Sequence, residues 1–239
     1  MMAANDFATS NLLVQQFDQP TIDALRPHLG RIKLEREHVF TAYGRPLEAV
    51  VFPEGGIASC MAAEGGTRTE VGLIGIDGMI GLGAVLGDGI ESVEIFMQVD
   101  GASALTLPIE RMRAALAQSE GLRRLVDRYA LCFQLQVSYA IVSCAQHLME
   151  ARLARWLLMC HDRLDGDEIA LTHEFMAMMI SAQRSGVTVT LHTLEGAGMI
   201  RSTRGLVTIR DRAKLADLAG DAYGIPEARY RDLIGPFGK

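Results

Sequence analysis

Three consecutive polar residues, Gln183-Arg184-Ser185, stand at the head of a run whose apolar positions are Val187, Val189, Leu191 and Leu194. The pattern is a short helix with a polar leading end on an apolar back. That shape suits insertion into the major groove of DNA, where side chains recognise by hydrogen bonding rather than by making bonds. The residue sets of bond-making sites are missing from the sequence. It holds no G-x-S-x-G elbow and no Walker loop. Small β-rolls that act as metal-dependent oxygenases or isomerases need two or three histidines and a carboxylate. The β-rich region here offers only His38, with His28 lying before it. The chain therefore reads as not an enzyme. Asp88 and Glu91, an acid pair beside a glycine cluster, are assigned to a solvated loop.

Several elements must position the polar triplet. Thr172 is a good N-cap for a first helix that buries Phe175, Met176, Met179 and Ile180. Ser181-Ala182-Gln183 forms the turn, and the second helix runs from Arg184 to Ala197. Gly198 ends it, because glycine tolerates the left-handed conformation of a helix terminus. Met199-Ile200 then starts a hairpin with its tip at Arg204-Gly205 and a return strand at 206–209.

Upstream, residues 31–107 alternate short β-rich runs with turn signals such as Tyr43-Gly44 and Asp77-Gly78, the pattern of a sandwich or rolled barrel. Gly78, Gly81, Gly83, Gly87 and Gly89 crowd one stretch that reads as a surface loop. A long helix spans Glu120 to His147, with an apolar stripe through Tyr129, Phe133, Val137 and Ile141. The spacing fits packing on the chain's own core or pairing with a second copy equally well; the length favours pairing. A further amphipathic helix holds the sole tryptophan, Trp156. The tail from about residue 213 reads as a short helix followed by a partly disordered end. The expected units are a β-roll over 1–118, a long helix over 119–147 and a helical module over 148–239, giving an α+β fold class.

Net charge is −6, which argues against a nucleic-acid partner until its distribution is considered. The whole deficit falls in residues 1–147, and 172–214 carry six basic residues against three acidic ones. The surplus predicts salt-sensitive DNA binding without strong non-specific affinity. No apolar run reaches the roughly 18 residues of a membrane span, and the first residues do not read as a secretion signal. Cysteines at 60, 132, 144 and 160 form no C-x-x-C or Cys/His cluster, so no metal is expected. Cys144 and Cys160 read as small buried hydrophobes on helices, and the address as a reducing cytoplasm.

The run GMIGLGAVLGDG, the helix EARLARWLL at 150–158, the stretch LTHEFMAMMISAQRSGVTVTLHTLEGAGMI at 171–200 and the wing RSTRGLVTI together resemble the bacterial cyclic-AMP receptor / fumarate-nitrate regulator (CRP/FNR) family of transcription factors. The similarity covers roughly residues 12–212. It implies a cyclic-nucleotide-binding-like β-roll, a dimerising long helix, a winged helix-turn-helix, and a homodimer on a two-fold operator. RNA polymerase is a further implied partner. Arg184 matches a family arginine that contacts guanine, for which its planar fork is suited. Ser185 stands where the cyclic-AMP receptor has a glutamate reading cytosine. Val189, with Thr188 beside it, stands where that receptor has a second arginine. Thr172, His173 and Gln183 fall at phosphate-contacting positions, and Arg204 takes the same role at the wing tip.

The effector positions depart from the family. Leu82, followed by Gly83, replaces the glutamate that holds a ribose. Ser92 and Val93 replace the arginine–serine pair that holds the cyclic phosphate. Cyclic nucleotide binding in the usual way is not expected and no cofactor is identified; an unidentified effector in the β-roll is left as the candidate control, beside constitutive DNA binding with no ligand. His38, Cys132 and His147 are loose candidates for a haem ligand and read as structural. The alternative function is a ligand-binding or interaction module whose winged helix docks a protein instead of DNA.

Overall fold

A computed structural model describes residues 8–64 and 67–239. Seven strands build the N-terminal part: β1 (Gly30–Leu34), β2 (Val39–Thr41), β3 (Ala49–Pro53), β4 (Ile57–Glu64), β5 (Thr67–Ile74), β6 (Glu94–Val99) and β7 (Gly101–Pro108). They form two antiparallel sheets in the orders β1-β7-β3 and β2-β6-β4-β5. Val51, Ala58, Cys60, Ile74, Ile95, Met97 and Ala104 fill the roll. A short helix preceding the roll, α1 (Gln19–Leu25), is capped by Asp18, which accepts from Thr21 N. The glycine-rich stretch is not wholly a loop. It contains a one-turn helix, α2 (Leu82–Leu86), introduced by Gly81 at φ 97°, a conformation that favours glycine.

Two helices follow the roll, α3 (Ile109–Gln118) and α4 (Glu120–Gln146). Ser119 separates them and caps α4 through its hydroxyl, which accepts from Leu122 N at 3.1 Å. The long helix is apolar on two faces. Leu122, Leu125, Val126, Tyr129 and Cys132 are buried against the roll. Tyr129 is only 3% exposed and receives a hydrogen bond from Met79 N. Phe133 leans on Gly72, where a Cβ would meet its ring at 3.0 Å. Tyr129 thus belongs to the chain's own core and not to a seam with a second copy, while Phe133 is half-buried. Val137 is half-buried, and Ile141 is 65% exposed. The outward row of α4 runs through Leu131, Gln134, Ser138, Ile141 and Ala145 instead, and the exposed Leu148 follows in the break before the next helix.

The C-terminal part comprises α5 (Met149–His161), β8 (Glu168–Ile169), α6 (His173–Met179), α7 (Arg184–Gly196), β9 (Ile200–Thr203), β10 (Leu206–Ile209), α8 (Arg212–Ala219) and α9 (Ile225–Leu233). Its small sheet has the order β8-β10-β9. One apolar cluster runs from Ile57, Met61, Leu73 and Phe96 of the roll into Leu153, Trp156, Leu157 and Met179. Polar groups join the same halves. Trp156 Nε1 donates to Glu70 Oε1 at 2.9 Å. Arg163 donates through Nε and Nη2 to the two oxygens of Asp77, at 3.0 and 2.6 Å.

The tail departs from the expected partial disorder. Tyr230 and Phe237 are buried beside α4, and Tyr230 Oη donates to Asp77 O at 2.7 Å. Apolar residues spaced through the tail find cover on α4 and the roll, which local pattern does not reveal. Cys160 is buried as expected, but Cys144 is exposed, with its sulfur 3.6 Å from Arg152 Nη2. Among the described residues, no helix is long and apolar enough to cross a membrane.

Candidate nucleic-acid interface

Thr172 caps α6 through its hydroxyl, which accepts from Phe175 N at 3.3 Å. The helix stops at Ile180, and Ser181 takes a left-handed φ of 50°. This bend lets Ala182 N reach back to Ala177 O at 2.8 Å and redirects the chain into α7. Helix α7 buries Val187, Thr190, Leu191 and Leu194. Positions 187, 191 and 194 follow the i, i+4, i+7 spacing of one helix face. Gly186 lets α7 approach α5, since a Cβ there would lie 2.9 Å from Met149 Cε. Gly198, at φ 72°, ends the helix, and Gly205, at φ 77°, turns the wing tip.

Gln183, Arg184 and Ser185 are exposed at the leading end of α7. Arg184 has no ion-pair partner among the described residues. It shares an open groove with Thr172, His173, His192 and the wing residues Ser202, Thr203 and Arg204. Glu195 Oε1 accepts from Ser202 N at 3.0 Å, which ties the wing to the recognition helix and keeps Arg204 on the same side as Arg184. Thr188 is half-buried. Its hydroxyl donates to Arg184 O at 3.0 Å and lies 3.0 Å from His173 Nδ1, so it is committed within the protein. Val189 does not lie on the apolar back, where the pattern of the run put it; it is 66% exposed. It follows Ser185 by four residues and so shares that residue's outward face, a signal the spacing did carry.

The four effector candidates do not converge on a polar cavity. Leu82 and Val93 are half-buried against apolar neighbours, while Gly83 and Ser92 are exposed. Glu91 is the residue that matters there, and it is not part of a solvated pair. It is 7% exposed, whereas Asp88 is exposed and accepts from Ile90 N. The Glu91 carboxylate accepts from Ser92 N at 3.2 Å and sits 2.7 Å from where a Cβ at Gly83 would lie. Burial pushes its pKa up, and the backbone N–H groups of Ser92, Ala84 and Gly83 oppose that rise. The chain thus places its own carboxylate at the start of α2. A lone acid among glycines gave no hint of this enclosure.

The loose metal-ligand candidates lie apart. His38 stacks edge-on near Phe40, Cys132 is buried on α4, and His147 Nε2 is 2.9 Å from Asp221 Oδ1. Among the described residues, no group of three or more His, Cys, Asp or Glu side chains is placed to hold a metal ion.

The chain thus joins a β-roll, a long connecting helix and a winged helix-turn-helix. Residues 151–218 match the family model of the Crp-like helix-turn-helix domain. The match to a helix-turn-helix domain is thus shown for under a third of the chain. Solved structures share the fold at low identity. FixK2 from Bradyrhizobium japonicum is 15% identical with a TM-score of 0.69, over 80% of this chain and 98% of that one. A CRP-family transcriptional regulator from Thermus thermophilus is 19% identical with a TM-score of 0.65, over 80% and 96%. The c-di-GMP-responsive global regulator CLP of Xanthomonas campestris is 14% identical with a TM-score of 0.63, over 80% and 99%. No curated protein matches the chain by sequence.

Proposed function

We propose that the chain binds a two-fold symmetric operator as a homodimer in the cytoplasm, with Arg184 reading guanine in each half-site. The observation that carries this reading is the exposed Arg184 at the head of α7, facing the same open groove as the wing residue Arg204. Gln183, Thr172, His173 and Arg204 line the approach to phosphates, and Ser185 faces the bases. The outward row of α4 supports pairing. Its members, 131, 134, 138, 141 and 145, alternate steps of three and four, the repeat of a coiled-coil seam. Leu131, Ile141 and Leu148 are 47%, 65% and 79% exposed in the single chain, a surface that a second copy covers.

Cyclic nucleotide in the usual mode is not the effector in this reading. Leu82 offers no ribose acceptor, and Ser92 and Val93 offer no phosphate cation. The protein binds its operator without such a ligand.

Selection from a pool of random duplex DNA at low salt tests the function. A palindrome is enriched, and Arg184→Ala costs about 1–3 kcal/mol per half-site contact. A pool with no enriched sequence favours a winged helix that docks protein.

A further inference from the structure

Helix α7 carries one side chain that neither core packing nor the assigned contacts explain. Val189 is 66% exposed on a helix that buries Val187, Thr190, Leu191 and Leu194. A single exposed aliphatic residue is ordinary on a protein surface. Its position is not, because it lies one turn beyond Ser185 on the face that Arg184 and Ser185 lead.

The neighbouring hydroxyls are also turned back into the protein. Thr188 Oγ1 donates to Arg184 O at 3.0 Å and lies within hydrogen-bond distance of His173. Thr193 Oγ1 donates to Val189 O at 3.2 Å. Between Ser185 and the exposed His192, the middle of the outward face therefore offers the methyl groups of Val189 where a hydrogen-bonding group would be expected. In the major groove, only thymine among the four bases presents an apolar group, its C5 methyl.

We propose that Val189 is a specificity-determining residue that reads a thymine methyl in each half-site. This rests on the operator-binding reading above. The guanidinium of Arg184 selects one base by hydrogen bonding, and Val189 selects another by covering its methyl from water.

The test uses the full-length protein and the DNA sequence it selects. Each thymine of the half-site is replaced in turn by deoxyuridine, which removes the methyl and leaves every hydrogen-bonding group in place. Binding is measured for wild type and for Val189→Ala, whose thermal melting is checked alongside. At one thymine per half-site, the replacement weakens wild type by about fourfold, the factor for one methyl-sized group lost from contact. Val189→Ala binds the two DNAs equally at that position. The other thymines show no difference between the proteins. A selected operator in which no deoxyuridine matters to wild type overturns the proposal, as does a Val189→Ala protein that keeps the full sensitivity. Failure to select any sequence overturns the operator reading itself, and the assignment of Val189 with it.

Discussion

The ion pair between Asp77 and Arg163 makes a quantitative prediction about how the two halves of the chain hold together. Asp77 follows β5 and Arg163 follows α5, so the pair crosses from the roll to the helix-turn-helix part. Both side chains are removed from water, at 6% and 2% exposure. The guanidinium forks onto both carboxylate oxygens, stacks 5.0 Å from the Phe237 ring, and donates to Met159 O through Nη1. The neighbouring carboxylates of Asp77, Asp162 and Glu227 outweigh burial and keep Arg163 protonated. Asp77→Asn keeps the shape but strands the cation. An uncompensated buried charge costs about 3–5 kcal/mol, against under about 1 kcal/mol for an exposed pair. Whole proteins are stable by about 5–15 kcal/mol, so the midpoint of thermal unfolding falls on the order of 10 °C. Adding Arg163→Met to Asp77→Asn removes the stranded charge and recovers more than half of the loss. Urea unfolding of wild type, both single variants and the double variant measures the cycle. A single-variant loss below about 1 kcal/mol, or a double variant no better than Asp77→Asn, would refute the claim that a desolvated pair fastens the halves.

Two further predictions concern the same interface and the seam. Ser59 Oγ donates to Glu70 Oε2 at 2.9 Å, on the carboxyl group that Trp156 Nε1 also reaches. Burial raises the Glu70 pKa from 4.5 to about 8, despite opposing hydrogen bonds from Ser59 and Trp156 and the charges of Arg155 and Arg163. The folded state holds the extra proton between these values, so stability from this group is full below about 4.5 and is lost as pH rises through 8. Relative to Glu70→Gln, wild-type stability falls over that window in denaturant titrations; parallel curves would show that Glu70 does not carry a raised pKa. At the proposed seam, Ile141→Asp places a charge on the outward row of α4, and the expected outcome in gel filtration is a wild-type dimer and a monomeric variant. Tyr129→Phe leaves the dimer intact, because Tyr129 faces the roll.

Local chemistry made the helix-turn-helix legible before any contact was known. Thr172, Gly198 and Gly205 act through their own backbones and immediate neighbours, and a cap or a left-handed turn needs only those. The short strands between glycine turns and the span of the long helix were readable for the same reason. Other features depend on groups far away in the chain. Helix α4 is apolar on two faces, and periodicity alone cannot say which one the roll covers; Tyr129 and Phe133 went inward, and Leu131, Ile141 and Leu148 stayed out. Glu91 was enclosed by residues of α2, Cys144 was left uncovered, and Tyr230 and Phe237 found cover on α4. Capping and turn propensities are settled within a few residues, whereas burial depends on surface supplied by distant segments that exist only once the chain has packed.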